Sequence, residues 1–286
     1  GQACVQAHLD YYNHVDVDMV KIMCDGYFDY PNPLAQSVKT ASDWYHLKPL
    51  GKDHPFIREQ VERAKQVKAG LKDNMCVFYN VFAPFSSIRF GTSDEMVMEH
   101  FRQDPKAIAS ALSVIAEDNS TLCELLLTEA GCDGIYYCVQ GGEKDRMTGE
   151  EYRAYITPSD KAVLSYANKF SPYNILHCCG WAGIPNRLEN WQDYPAKVIN
   201  WAAFIEKMDM PAGRAFFGGK TVLGGCDNRK SGVLYKGTRQ EIQAFIRNLT
   251  ASFDSDTGYM IGADCTLPGD LDLDHIRWVV DAVNSL

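Results

Sequence analysis

The sequence predicts an α/β protein, and within that class a (β/α)8 TIM barrel, from three observations. Apolar, β-branched and aromatic runs alternate along the chain with longer amphipathic stretches. The apolar runs lack clean two-residue alternation, as parallel strands covered on both faces do. The 286 residues suit one large barrel or two average domains. No linker, repeat or low-complexity stretch divides them, so residues 1–286 read as a single domain.

In chain order, Gln2–Asn13 reads as a helix and Val17–Asp25 as the first strand. Phe28–His54, with Pro31, Pro33 and Pro49, reads as a long loop. In a barrel it would follow a strand on the catalytic face, as a lid. The helix Pro55–Ala69 leads to a strand at Met75–Phe85. Pro105–Thr128 is the longest helix, with Asp104 as N-cap and Pro105 at its first position. The strand Cys132–Gln140 follows, then a helix over Pro158–Phe170. Strands come next at Tyr173–Gly180, Val198–Phe204 and Thr221–Gly225. Thr238-Arg-Gln-Glu241 is a capping box opening a helix to about Ala251. The strand Tyr259–Cys265 and the helix Asp272–Asn284 close the chain. Seven strands is one short of a closed barrel, and the missing first strand is expected before Gly1. A doubly wound open sheet fits the alternation as well, but no GxGxxG follows the first strand.

Composition excludes some partners. With 28 basic and 37 acidic residues the net charge is −9. No Lys/Arg-rich run offers the clustered positive charge that phosphate backbones or anionic membranes require. No apolar run approaches a bilayer span. The expected location is the cytoplasm, although a chain that opens at Gly1 rather than Met leaves targeting unjudged. Oligomeric state is open, a homodimer included.

Ten cysteines, with no CxxC pair, in a chain with this much core material read mostly as buried thiols acting as small hydrophobes. Cys24, Cys76, Cys132 and Cys138, in or beside strand segments, are expected to pack. Barrel sites gather at the C-terminal ends of strands. Those ends carry Asp25, Phe85, Gln140, His177-Cys178-Cys179, Asn200-Trp201, Cys226-Asp227 and Asp264-Cys265. His177 and Cys179 are two apart and project to the same side of a strand. A His and two Cys, with Cys265 as the third, leave one tetrahedral position open, as catalytic zinc sites do. The competing reading is a satisfied core histidine and buried thiols. Gln140, Asn200 and Asp227 are candidates to hydrogen-bond a substrate or cofactor, or to orient a ligand. Phe85, Trp181 and Trp201 are candidates to line an apolar mouth.

Three segments carry a resemblance: Gly131-Cys-Asp-Gly-Ile-Tyr-Tyr137, Ile175-Leu-His-Cys-Cys-Gly180 and Gly262-Ala-Asp-Cys-Thr-Leu-Pro-Gly269. They resemble the uroporphyrinogen decarboxylase superfamily, and more closely its zinc-dependent corrinoid methyltransferase branch, of the methylcobalamin:coenzyme M type. The branch's His-x-Cys and distant Cys fall on His177, Cys179 and Cys265. The resemblance implies an α/β barrel that transfers a methyl group between a corrinoid protein and a thiol or other acceptor. It further implies zinc, methylcobalamin carried on that partner, and a small-molecule donor or acceptor.

Asp25 matches the decarboxylases' essential Asp, and the Asp264-Cys265 pair stands where they usually have a His. Asp25 and Asp264 are therefore the candidate catalytic carboxylates. Cys226 departs from the usual turn and is a candidate extra ligand. Two other functions fit the superfamily: a metal-free decarboxylase of uroporphyrinogen, and a non-catalytic subunit that only binds a corrinoid protein.

Overall fold

The structure is a computed structural model that describes residues 1–286. Seven parallel strands form one sheet in chain order: β1 (Met19–Ile22), β2 (Cys76–Phe82), β3 (Gly134–Val139), β4 (Ile175–Cys178), β5 (Val198–Trp201), β6 (Thr221–Cys226) and β7 (Tyr259–Ala263). All seven predicted strands are present. Six are shorter than read, and β6 extends one residue further, to Cys226.

The sheet is curled. Neighbouring strands lie about 4.8 Å apart, so three steps across a flat sheet separate strands by roughly 14 Å. Yet Cys265, just past β7, brings its Sγ within 3.6 Å of His177 Nε2 on β4. Lys21 on β1 likewise reaches over the Tyr136 ring on β3, 4.2 Å from its centre. At the two ends of the chain, the helices Gln2–Val15 and Leu273–Asn284 meet, with His14 Nε2 3.5 Å from Asp274 Oδ1. β1 and β7 do not pair with each other. Seven strands of the expected eight are therefore arranged as an open, barrel-like curl with two free edges.

The strands' two faces divide the core. Outward residues such as Val20, Ile135, Tyr137, Leu176 and Val222 pack beneath the helices in the main cluster. Inward, Phe78, Tyr136, Ile175 and Leu223 form a second, smaller cluster. The helix Pro105–Thr128 is capped as predicted, with Asp104 Oδ1 accepting from the Lys106 and Ala107 amides at 3.1 and 3.2 Å. Its stripe of Ile108, Leu112 and Ile115 is fully buried, and each such side chain stabilises by about 1.5–3 kcal/mol. The capping box at Thr238 and Glu241 is also formed.

Two features differ from expectation. Several short helices were not legible, among them Pro84–Phe90, Gly149–Tyr155 and Met210–Phe216. Seven residues hold only two turns, too few to establish a period. The stretch Phe28–His54 is not a free lid. Tyr30 Oη donates to Asp118 Oδ2 at 2.6 Å, and the amides of Leu50 and Gly51 donate to the same carboxylate at 2.9 and 3.1 Å. With Trp44 fully buried and its Nε1 donating to His100, the stretch is strapped onto the helix layer. No helix is long and apolar enough to cross a membrane.

Candidate metal centre

Strand pleating brings the site together. On β4, Leu176 and Cys178 face outward into the main core while Ile175 faces inward. His177 and the following Cys179 therefore face the interior of the curl. Parallel register sets Cys138 of β3 and Asn200 of β5 on either side of His177.

His177 is held by one nitrogen and free at the other. Asn200 Nδ2 donates to the carbonyls of Leu223 and Ala263 at 2.8 and 3.2 Å, which fixes its amide with Oδ1 as the acceptor. That oxygen takes the Tyr136 hydroxyl at 2.6 Å and also contacts His177 Nδ1. Nδ1 is thereby assigned the proton, and Nε2 keeps its lone pair. Nε2 faces Cys265 Sγ at 3.6 Å, and Cys265 Sγ lies 4.0 Å from Cys179 Sγ. A tetrahedral ion with bonds of about 2.3 Å to sulfur and about 2.05 Å to nitrogen would separate sulfurs by about 3.8 Å, and sulfur from nitrogen by about 3.6 Å. The two edges through Cys265 are close to those values, while His177 and Cys179 also share a group with Cys138, their ligand atoms within 4.8 Å of one another.

The thiols carry the electrostatics. The neighbouring Cys138 thiol and burial push Cys179 up to about 12. A hydrogen bond with Cys179 and burial push Cys265 up to about 11, although His177 pulls the other way. Without an ion these are neutral thiols crowded together. A donor set of imidazole nitrogen and soft sulfur, with no carboxylate among the atoms in contact, fits zinc. Gln140 Nε2 also reaches Cys179 Sγ, at 3.5 Å.

Other predicted residues lie around this group or apart from it. Asp264 is buried, which raises its carboxyl to about 6, and its Oδ1 accepts from the Gly225 amide at 2.8 Å while Oδ2 has no partner. The turn beneath it needs glycine: Gly225 has φ +95°, and a Cβ there would sit 2.5 Å from Leu249. Asp227 is engaged locally by Arg229, Nη2 to Oδ2 at 2.8 Å. Asp25 is exposed at the end of β1, where only its carbonyl is bonded, to Arg63 Nη1 at 2.6 Å. Trp201 and Phe85 are buried, and Trp181 alone of the three aromatics is exposed.

The remaining cysteines divide differently from the expectation. Cys226 lies in a separate apolar cluster with Leu234 and Ile246, away from His177. Cys76 is exposed where packing was expected, because it stands at the open start of β2. Cys138 is buried, as expected; its ligand atom also lies within 4.8 Å of those of His177 and Cys179, a proximity that strand register brings about.

A uroporphyrinogen decarboxylase (URO-D) family model matches residues 29–286. The curled parallel sheet, with a cluster at its strand ends, defines the class as an α/β barrel-type protein. The chain belongs to the uroporphyrinogen decarboxylase family. Among solved structures it is similar to a methyltransferase from Methanosarcina mazei, with a TM-score of 0.76 at 14% identity over 99% of this chain and 85% of that one. It is also similar to a β-mannanase from the blue mussel Mytilus edulis, with a TM-score of 0.56 at 9% identity over 100% of this chain and 85% of that one. At such identities these likenesses speak for the fold. None of the curated proteins compared matches the chain.

Proposed function

We propose that this protein is a zinc-dependent methyltransferase that moves a methyl group between a corrinoid protein and a thiol acceptor. The observation that carries the reading is the spacing of His177 Nε2, Cys179 Sγ and Cys265 Sγ at strand ends, 3.6 and 4.0 Å apart through Cys265. Those three residues would hold the metal. Bound zinc supplies the charge that keeps an acceptor thiol deprotonated and therefore nucleophilic.

The chain's own groups prepare the site. Asn200 and Tyr136 hold the ring of His177 so that Nε2 presents its lone pair. Gln140 donates to Cys179 sulfur, which tempers that donor. Cys138, His177 and Cys179 are buried, while Cys265 is only half-buried and leaves the site a side open to an acceptor. We assign Asp264, through its unpartnered Oδ2, and Asp25, at the open end of β1, to contacts with substrate or partner. Of the three candidate cofactor contacts, Gln140 lies against the Cys179 sulfur, while Asn200 is committed to His177 and the neighbouring strands and Asp227 to Arg229. The M. mazei methyltransferase, the likeness with the higher TM-score of the two, supports the reaction class.

The test is metal content together with methyl transfer. Protein purified without chelator should hold about one zinc per chain and demethylate methylcobalamin, free or on a corrinoid protein, in the presence of a thiol. Absence of zinc sinks the reading. Carbon dioxide release from uroporphyrinogen that is insensitive to chelator would instead assign the metal-free decarboxylation for which the family is named.

A further inference from the structure

We propose that the protein carries a second ligand site, an anion-binding pocket that takes a small molecule with an oxyanion head and a short apolar body. The pocket holds about 330 Å³, within the range of small-ligand sites. Four cations line it: Arg102 from the helix Asp94–Gln103, Lys144 and Arg146 from the loop after β3, and Arg187 from the loop after β4. None of His177, Cys179 and Cys265 belongs to its wall, so the inference stands apart from the zinc reading.

The wall is stitched together by backbone. Glu143 and Asn186 form an antiparallel bridge between the two loops. The Lys144 amide donates to the Pro185 carbonyl at 3.1 Å, and the Arg187 amide to the Gly142 carbonyl at 2.7 Å. Arg146 is anchored through Nε to Glu143 at 2.7 Å and through Nη1 to Asp94, which neutralise it and leave Nη2 unbonded. The other three cations have no such partner. Arg102, Lys144 and Arg187 take part in none of the chain's ion pairs. The Arg187 guanidinium donates only to a neutral carbonyl, that of Lys144, through Nη2 at 2.8 Å, and its Nε has no partner. These three outnumber the two acids of the wall, Asp145 and Glu151, the second of which caps its helix through Thr148.

A chain of net charge −9 thus gathers unneutralised positive charge into one concavity, and such a cleft concentrates anions. Guanidinium forks bind oxyanions through paired hydrogen bonds. Met98, Phe101 and Met147 supply the apolar side of the pocket, against which the body of the ligand would rest. A nucleic acid would need an extended track of positive charge instead.

Calorimetric titration of the full chain with phenyl phosphate and with benzoate tests this. One saturable site is expected, weakening as salt rises because ions screen exposed charges. The tighter probe identifies a phosphate ester or a carboxylate as the head group, and either order upholds the site. Arg102→Gln and Arg187→Gln should each weaken binding about tenfold or more, as loss of a charge-assisted hydrogen bond does. Arg102 is exposed and unpaired, so its variant tests the charge without disturbing the fold. Lys52→Gln, which removes an exposed cation elsewhere, should leave affinity unchanged. No saturable binding of either probe, or wild-type affinity in both arginine variants, overturns the proposal. So does an equal loss in Lys52→Gln, which would mark a general charge effect.

Discussion

The side-chain amide of Asn200 presents its oxygen to Nδ1 of His177, and so commits Nε2 of that ring to the sulfurs. The same amide ties β5 to β6 and β7 through the Leu223 and Ala263 carbonyls. One residue thus sets both the tautomer of His177 and the local closure of the sheet.

Asn200→Ala should weaken zinc binding about 10–100-fold while every ligand stays in place. Competition with a chromophoric chelator measures it, and circular dichroism checks that the sheet survives the lost bonds. An unchanged affinity would mean that Tyr136 alone orients the ring.

His177→Ala and Cys265→Ser should each bring zinc content well below one per chain as purified, read by elemental analysis. Cys226→Ser should not, since that thiol lies in the apolar cluster with Leu234 and Ile246. Parallel loss in all three variants would point to general unfolding rather than loss of a ligand.

Zinc uptake should release protons. In the metal-free protein Cys179 is pushed up to about 12 and Cys265 to about 11, so both are protonated at neutral pH and must lose their protons to bind. Apparent affinity therefore rises with pH and falls as the solution is acidified, with at least about two protons released per zinc. Calorimetry in buffers of different ionisation enthalpy counts them. Release of fewer than one proton would contradict the thiolate assignment.

Asp160 sets a separate pH dependence. It is fully buried, and burial raises its carboxyl to about 7 although the Tyr194 and Tyr152 hydroxyls donate to Oδ2 at 2.9 and 3.1 Å. Between the unfolded value near 4 and the folded one near 7, the native state holds a proton that the unfolded state has released. Stability therefore falls as pH rises through that window, by on the order of 4 kcal/mol at full extent. Asp160→Asn should flatten this slope in urea titrations run from pH 4 to 7. An equal slope in the variant would place the titrating group elsewhere.

How much was legible follows from which interactions are local. His177 and Cys179 were readable because two-residue periodicity on a strand needs no tertiary knowledge. Cys265 was visible as a thiol at a strand end, but its meeting with His177 depends on the curl of the sheet, which no local pattern encodes. Asn200 was a candidate without a definite role, because that role depends on its register opposite His177. The strap over Phe28–His54 looked loose because its anchor, Asp118, lies 67 and 68 residues beyond the amides it holds.

The distance in sequence between the donors has a kinetic meaning. His177 and Cys265 stand 88 residues apart, with β5, β6 and β7 between them. A chain emerging from the ribosome holds only a partial nest of donors until its last strand has docked. Contacts of such long range form late, after their loop-closure entropy has been met. Metal capture during refolding would then act as a clock for arrival of the C-terminal quarter, lagging behind the growth of helical signal.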